Sequence, residues 1–87
     1  MKRPTPKEYA RCIGQVIKES RLSHPDTSIR TQVDFAEKAG VNRVYLAGVE
    51  AGSRMPGLIT LVTICQTLDI SMSDLFKKAE DLLNTDD

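Results

Sequence analysis

The chain has no tryptophan, and its 87 residues include only two Tyr and two Phe. With aromatics at 5% and hydrophobic residues at 40%, there is little from which to build an aromatic-rich sheet. A core of Leu, Ile, Val and Ala on helices fits that composition better. Histidine occurs once, at His24, and cysteine twice, at Cys12 and Cys65. Two Cys and one His without paired spacing fall short of a four-ligand zinc site, so no metal is expected. Both cysteines fall on apolar helix positions, where a thiol usually serves as a small buried hydrophobe. Gly40, Gly48, Gly52 and Gly57 follow no strand and make no phosphate-cradling loop. No catalytic residue and no cofactor is predicted, and the chain is not read as an enzyme. No apolar run approaches membrane-spanning length, and the Lys/Arg-Pro start lacks the apolar stretch of a signal peptide. A soluble, cytoplasmic protein without a membrane partner is expected.

Net charge is also missing, since twelve Lys/Arg balance twelve Asp/Glu. The distribution is uneven, however. Residues 1–54 hold ten basic against six acidic residues, and residues 55–87 hold two against six. A basic first part and an acidic tail are compatible with a nucleic-acid partner, and equally with ordinary solvated charge. The length suits one domain, near the low end of what a single core can stabilise. There are no internal repeats, low-complexity segments or linkers.

In chain order, Met1 to Pro4 is expected to be a loose basic arm. Thr5-Pro6-Lys7-Glu8 is a full capping box with Pro at the first helical position. Tyr9, Cys12, Ile13, Val16 and Ile17 then form one apolar face. That helix should end near Leu22, because Pro25 disfavours helical geometry at His24. His24 to Arg30 reads as a polar loop, either a plain insertion or a segment placing Arg30 against a DNA backbone. Later, Leu58 to Leu68 is apolar nearly all round, which predicts a helix buried on several sides, the central post of a bundle. Ser71 caps a last helix over about 71–84, with Asp74 three residues on and Ile70 stapling to Leu75. The tail after it is expected to fray. Five helices in one compact all-α domain are predicted.

The most informative stretch is Thr31 to Gly52, TQVDFAEKAGVNRVYLAGVEAG. Thr31 is an N-cap, Phe35, Ala36 and Ala39 form an apolar stripe, and Gly40 stands where a left-handed residue ends a helix. Asn42 caps a second helix at once, with Val41 able to staple onto Leu46. Leu46 and Val49 are its inward pair. Ala36 is small where the two helices must cross closely. This is a helix-turn-helix pattern spanning residues 31–52.

From about Ile13 to Phe76, and most plainly in AEKAGVNRVYLAGVEAGSR, the chain resembles the Cro/repressor-type (XRE) helix-turn-helix family. Within it, Tyr45 to Glu50 is similar to the controller proteins of restriction–modification systems. The resemblance implies a lambda-repressor-like domain over residues 1–87 that binds double-stranded DNA and regulates transcription. It also implies that Arg21 and Glu50 meet as a partly buried salt bridge, and that Gln32 opens the first motif helix at a phosphate.

With Leu46 and Val49 turned inward, Arg43, Val44, Ala47 and Gly48 share the outward side of the second motif helix. One Arg and three small or apolar residues are odd for a solvated face. They suit a major groove, where Arg bonds guanine in a fork and Val touches a thymine methyl. The resemblance implies base reading at Arg43 and Val44, while Gly48 departs from the long side chain many relatives carry. A face packed on a protein partner is the alternative. Asn42, Tyr45, Ser53 and Arg54 are further candidate phosphate contacts, against which stand simpler roles in capping, packing and the loop.

The last helix carries a stripe of Met72, Leu75, Phe76, Ala79, Leu82 and Leu83. An apolar stripe continuing past Phe76 predicts a homodimer interface there. Alternatively, Leu82 and Leu83 fold back onto the first helix. The reading is a homodimeric, operator-binding regulator. An antitoxin with autoregulatory DNA binding and a protein-interaction helical domain are the alternatives.

Overall fold

The computed structural model describes residues 3–85, and among them the chain is wholly helical. The helices are α1 (Pro6–Leu22), α2 (Gln32–Ala39), α3 (Arg43–Glu50), α4 (Leu58–Leu68) and α5 (Met72–Thr85), with a 3-10 turn at Thr27–Ile29. Met1 and Lys2 of the expected basic arm, and Asp86 and Asp87 of the tail, lie outside the described residues.

Local chemistry sets most of the helix ends. At α1, the Thr5 hydroxyl accepts from the Glu8 N–H at 3.1 Å, and the Glu8 carboxylate accepts from the Thr5 N–H at 3.4 Å. Gly40 has φ 72° and closes α2, its N–H reaching the Ala36 and Glu37 carbonyls. Two residues on, the side-chain Oδ1 of Asn42 accepts from the Val44 and Tyr45 N–H groups at 2.8 and 3.1 Å and starts α3. The Ser71 hydroxyl accepts from the Asp74 N–H at 3.0 Å to begin α5.

The bundle's central helix is α1, and this corrects the expectation for α4. Against α1 pack α3, α4 and, most extensively, α5. On α4 only Leu61, Ile64, Cys65 and Leu68 are buried, while Leu58 and Ile59 are 72% and 84% exposed. An all-round apolar sequence therefore gave a helix buried on one side, with its first turn open. Conversely, α1 buries more than its apolar face. Ala10, Gly14 and Arg21 join Cys12, Ile13, Val16 and Ile17 inside, because helices cover it on more than one side. A Cβ at Gly14 would stand 2.9 Å from the Glu50 carbonyl oxygen, so only glycine lets α1 and α3 approach this closely.

The lengthened link between α1 and α2 is also more ordered than a polar loop. Ile29, in the 3-10 turn, is 1% exposed and belongs to the core. Asp26 caps that turn, its Oδ1 accepting from the Ser28 N–H and hydroxyl at 3.0 and 2.6 Å. The Asp26 N–H donates to His24 Nδ1 at 3.0 Å, so Nε2 carries the ring proton and donates to the Leu68 carbonyl at 3.1 Å. Arg30 donates its Nε–H to the His24 carbonyl at 2.7 Å. One edge of its guanidinium is thus engaged inside the link, as the insertion reading would have it.

Candidate nucleic-acid interface

The motif's geometry starts from what holds α3. Leu46 and Val49 are buried in the core, beside Phe35, Ala36 and Ala39 of α2. Glu50, at the helix's last position, is only 7% exposed and receives Arg21, itself 4% exposed. Arg21 donates from Nε and from a terminal nitrogen to the two Glu50 oxygens, both at 2.8 Å. This forked pair ties α1 to α3 and satisfies a carboxylate that would otherwise be costly to bury. Arg21 also donates to the Arg30 carbonyl, so the clamp reaches the link before α2.

Gln32 belongs to the same cluster. Its side-chain amide donates to Glu50 Oε1 at 3.0 Å and is half-buried. The structure thus places Gln32 at the first position of α2, turned towards Glu50 rather than outward.

On the opposite side of α3 the four outward positions stand together. Arg43 is exposed, Val44 is 71% exposed, and Ala47 and Gly48 are half-exposed. Among the described residues Arg43 makes no ion pair. Singly exposed apolar side chains are common on protein surfaces and occur elsewhere here, as at Val33. The feature of this side is the combination of Val44 with an exposed Arg and the small Ala47 and Gly48.

The remaining candidates lie along α3 and just beyond it. Asn42 spends its side-chain oxygen on the helix cap and is exposed. Tyr45 is half-buried against the core. Ser53 and Arg54 are exposed, but both are folded back on the helix end. The Gly48 carbonyl accepts from the Ser53 N–H at 3.0 Å, the Arg54 N–H at 3.2 Å and the Ser53 hydroxyl at 3.1 Å. The Arg54 guanidinium lies 5.7 Å from the centre of the Tyr45 ring.

The stripe on α5 is divided. Leu75, Ala79 and Leu83 lie in the core of the domain, Met72 and Leu82 are half-buried, and Phe76 is exposed. The extensive packing of α5 on α1 explains this, and it is the fold-back that the sequence left as its alternative. Sequence reasoning missed the open surface at Leu58 and Ile59. Composition gave no signal for it, since Leu58 and Ile59 are as apolar as the buried Leu61, Ile64 and Leu68 of the same helix.

Among the described residues no cluster of His, Cys, Asp or Glu has metal-holding geometry, and no single helix is long and apolar enough to cross a membrane. No curated protein sequence matches the chain. A helix-turn-helix family model, HTH_3, matches residues 28–75, from the 3-10 turn into α5, and leaves α1 outside the matched part. That span holds the whole motif and more than half of the chain, and the protein belongs to this XRE-type helix-turn-helix family of DNA-binding regulators.

Proposed function

We propose that the protein regulates transcription by occupying an operator as a homodimer, with α3 of each protomer in a major groove. Arg43, Val44, Ala47 and Gly48 form the base-reading side, and Asn42, Tyr45 and Ser53 meet phosphates at its rim. The observation that carries the reading is the outward side of α3, where Val44 is 71% exposed beside an Arg43 with no ion pair among the described residues, on a helix clamped from behind. Gln32, bonded to Glu50, then assists mainly by holding the start of α2, whose free N–H groups favour a phosphate.

Since Leu75, Ala79 and Leu83 are used inside the protomer, the dimer surface draws on Phe76, Met72 and Leu82 together with Leu58 and Ile59. Exposed Leu and Ile side chains at the start of one helix are the apolar surface a second copy would cover. Selection of bound sites from random DNA should return a palindrome whose half-sites lie about one helical turn apart. A selected site with a single half-site, bound by one protomer, would overturn the dimer. Failure to enrich any sequence would overturn operator binding. Ile59→Asp should shift the free protein towards monomer in sedimentation and weaken the palindrome while leaving the fold intact.

A further inference from the structure

Gly48 gives the reading side of α3 a gap, and the structure shows what occupies it. A Cβ built on Gly48 would stand 3.1 Å from Arg54 Cδ, 3.2 Å from Arg54 Cγ and 3.4 Å from the Ser53 hydroxyl. The stem of Arg54 therefore lies along the direction a side chain at position 48 would take. Two independent features hold it there. The Gly48 carbonyl anchors the backbone of Ser53 and Arg54, and the Tyr45 ring lies under the guanidinium at 5.7 Å. Among the described residues no carboxylate pairs with Arg54.

We infer that Arg54 is a second base-reading residue, delivered from the loop onto α3 through the space that Gly48 leaves open. The inference rests on α3 being the DNA-reading helix, and it moves Arg54 from the expected phosphate contacts to the reading side. A phosphate at the groove's rim needs only a mobile cation. Arg54 is instead laid down on helix backbone and points back towards Tyr45, one turn nearer the α3 N-terminus, the end that enters the groove deepest. A guanidinium drawn to the face of an aromatic ring has less freedom to lose on binding. Its fork then matches the two acceptors of a guanine edge. Gly48 and Arg54 work as one composite position, and Tyr45 sets its orientation.

The test compares Arg54→Ala, Arg54→Lys, Gly48→Ala and Arg43→Ala on the selected operator and on its single base-pair variants, at several salt concentrations. Gly48→Ala is the informative change. It keeps the charge of Arg54 and favours the helix, yet its Cβ would stand 3.1 and 3.2 Å from Arg54 Cδ and Cγ. The stem must therefore give way by a few tenths of an ångström, and the fork at its end is re-aimed. Circular dichroism checks that each variant is folded. Arg54→Ala, Arg54→Lys and Gly48→Ala should all lose preference at one shared base pair, by about tenfold or more. That base pair should differ from the one affected by Arg43→Ala. The inference is overturned if Arg54→Ala weakens every site variant by one common factor and lowers the salt slope by about one per protomer, with Gly48→Ala harmless, since that is a phosphate contact. If the wild-type protein selects no DNA sequence at all, the reading of α3 fails first and this inference with it. A protein that selects a site and keeps its full preference without Arg54 sinks this inference alone.

Discussion

On its inner side α3 carries Leu46, Val49 and Glu50, all buried, and on its outer side Arg43, Val44, Ala47 and Gly48, none of them buried. The helix has only eight residues, too few to persist alone in water. Its shape is therefore imposed from the inner side and from its cap, and the outer side is free to carry residues chosen for something other than folding. Stability and recognition are thus separated by side of one helix, which makes the two separately breakable. Changes on the inner side should act on unfolding, and changes on the outer side on DNA.

The largest effect is expected at the clamp. Glu50→Ala leaves the Arg21 guanidinium buried without a counter-charge and takes the partner from Gln32 as well. Loss of one member of a buried pair costs about 3–5 kcal/mol. In a domain of this size that lowers Tm by more than ten degrees, at about 4–8 °C per kcal/mol. Thermal or urea unfolding checks it. A loss no larger than that of an exposed substitution would mean the pair is a surface contact and the comparison is misdrawn. Replacing Arg21 and Glu50 together by apolar residues of similar size should cost much less, because no orphaned charge remains.

Arg43→Ala is the counterpart on the outer side. It should leave the unfolding midpoint almost unchanged, within roughly 0.5 kcal/mol, as an exposed side chain does. Binding should suffer instead, with about 1–3 kcal/mol of discrimination lost at one guanine per half-site. Titration of the selected site and of the variant altered at that guanine measures it. An equal weakening of every variant would make Arg43 a positioning contact. A large drop in Tm would show that the two sides of α3 are not independent.

An intermediate case tests the cap, which belongs to both sides. Asn42→Ala removes the acceptor for two N–H groups and should cost about 1 kcal/mol of stability. Asn42→Asp keeps the acceptor and adds a negative charge where DNA phosphates are proposed to lie. It should therefore hold Tm and weaken DNA binding at every sequence alike, measured by unfolding and by titration. If Asp at this position binds as well as Asn, the cap stands clear of the DNA.

Much of this arrangement was legible in the sequence because the signals are local. Caps at Thr5, Thr31, Asn42 and Ser71, the left-handed Gly40 and the inward pair Leu46 and Val49 each follow from residues within a turn of one another. The outward face of α3 followed by elimination once that pair was fixed. What stayed hidden depends on where helices end up. Leu58 and Ile59 look like core by composition, and only the packing of α4 shows its first turn projecting. Ile29 sits alone among polar residues, so no periodicity marked it. Leu75, Ala79 and Leu83 read as a surface seam because α1 had not yet been seen to cover them. Arg54 over Gly48 joins a loop to a helix face, a relation that spacing alone does not carry.

The smallest effect is expected far from α3, in the link that supports the start of α2. The hydroxyl of Ser28, then its backbone N–H, and more weakly Lys38 and His24, hold the Asp26 carboxyl below the ordinary carboxylate value. The Lys38 ammonium stands 3.8 Å from it. A depressed value in the folded state means that folding favours the ionised form. The stabilisation is therefore present above the ordinary carboxylate value and is lost as pH falls through the folded one. Asp26 is solvent-exposed, so water screens the charge and the effect on the midpoint is small. Asp26→Asn keeps an oxygen acceptor for Ser28 but does not titrate. Urea midpoints followed from about pH 7 down to about pH 3 should fall slightly less steeply in Asp26→Asn than in the wild type. Such a difference would come from the link and leave the base preference of α3 untouched. Parallel curves would mean that the turn around Ser28 is held by its backbone and by Ile29 in the core, with the charge of Asp26 contributing nothing.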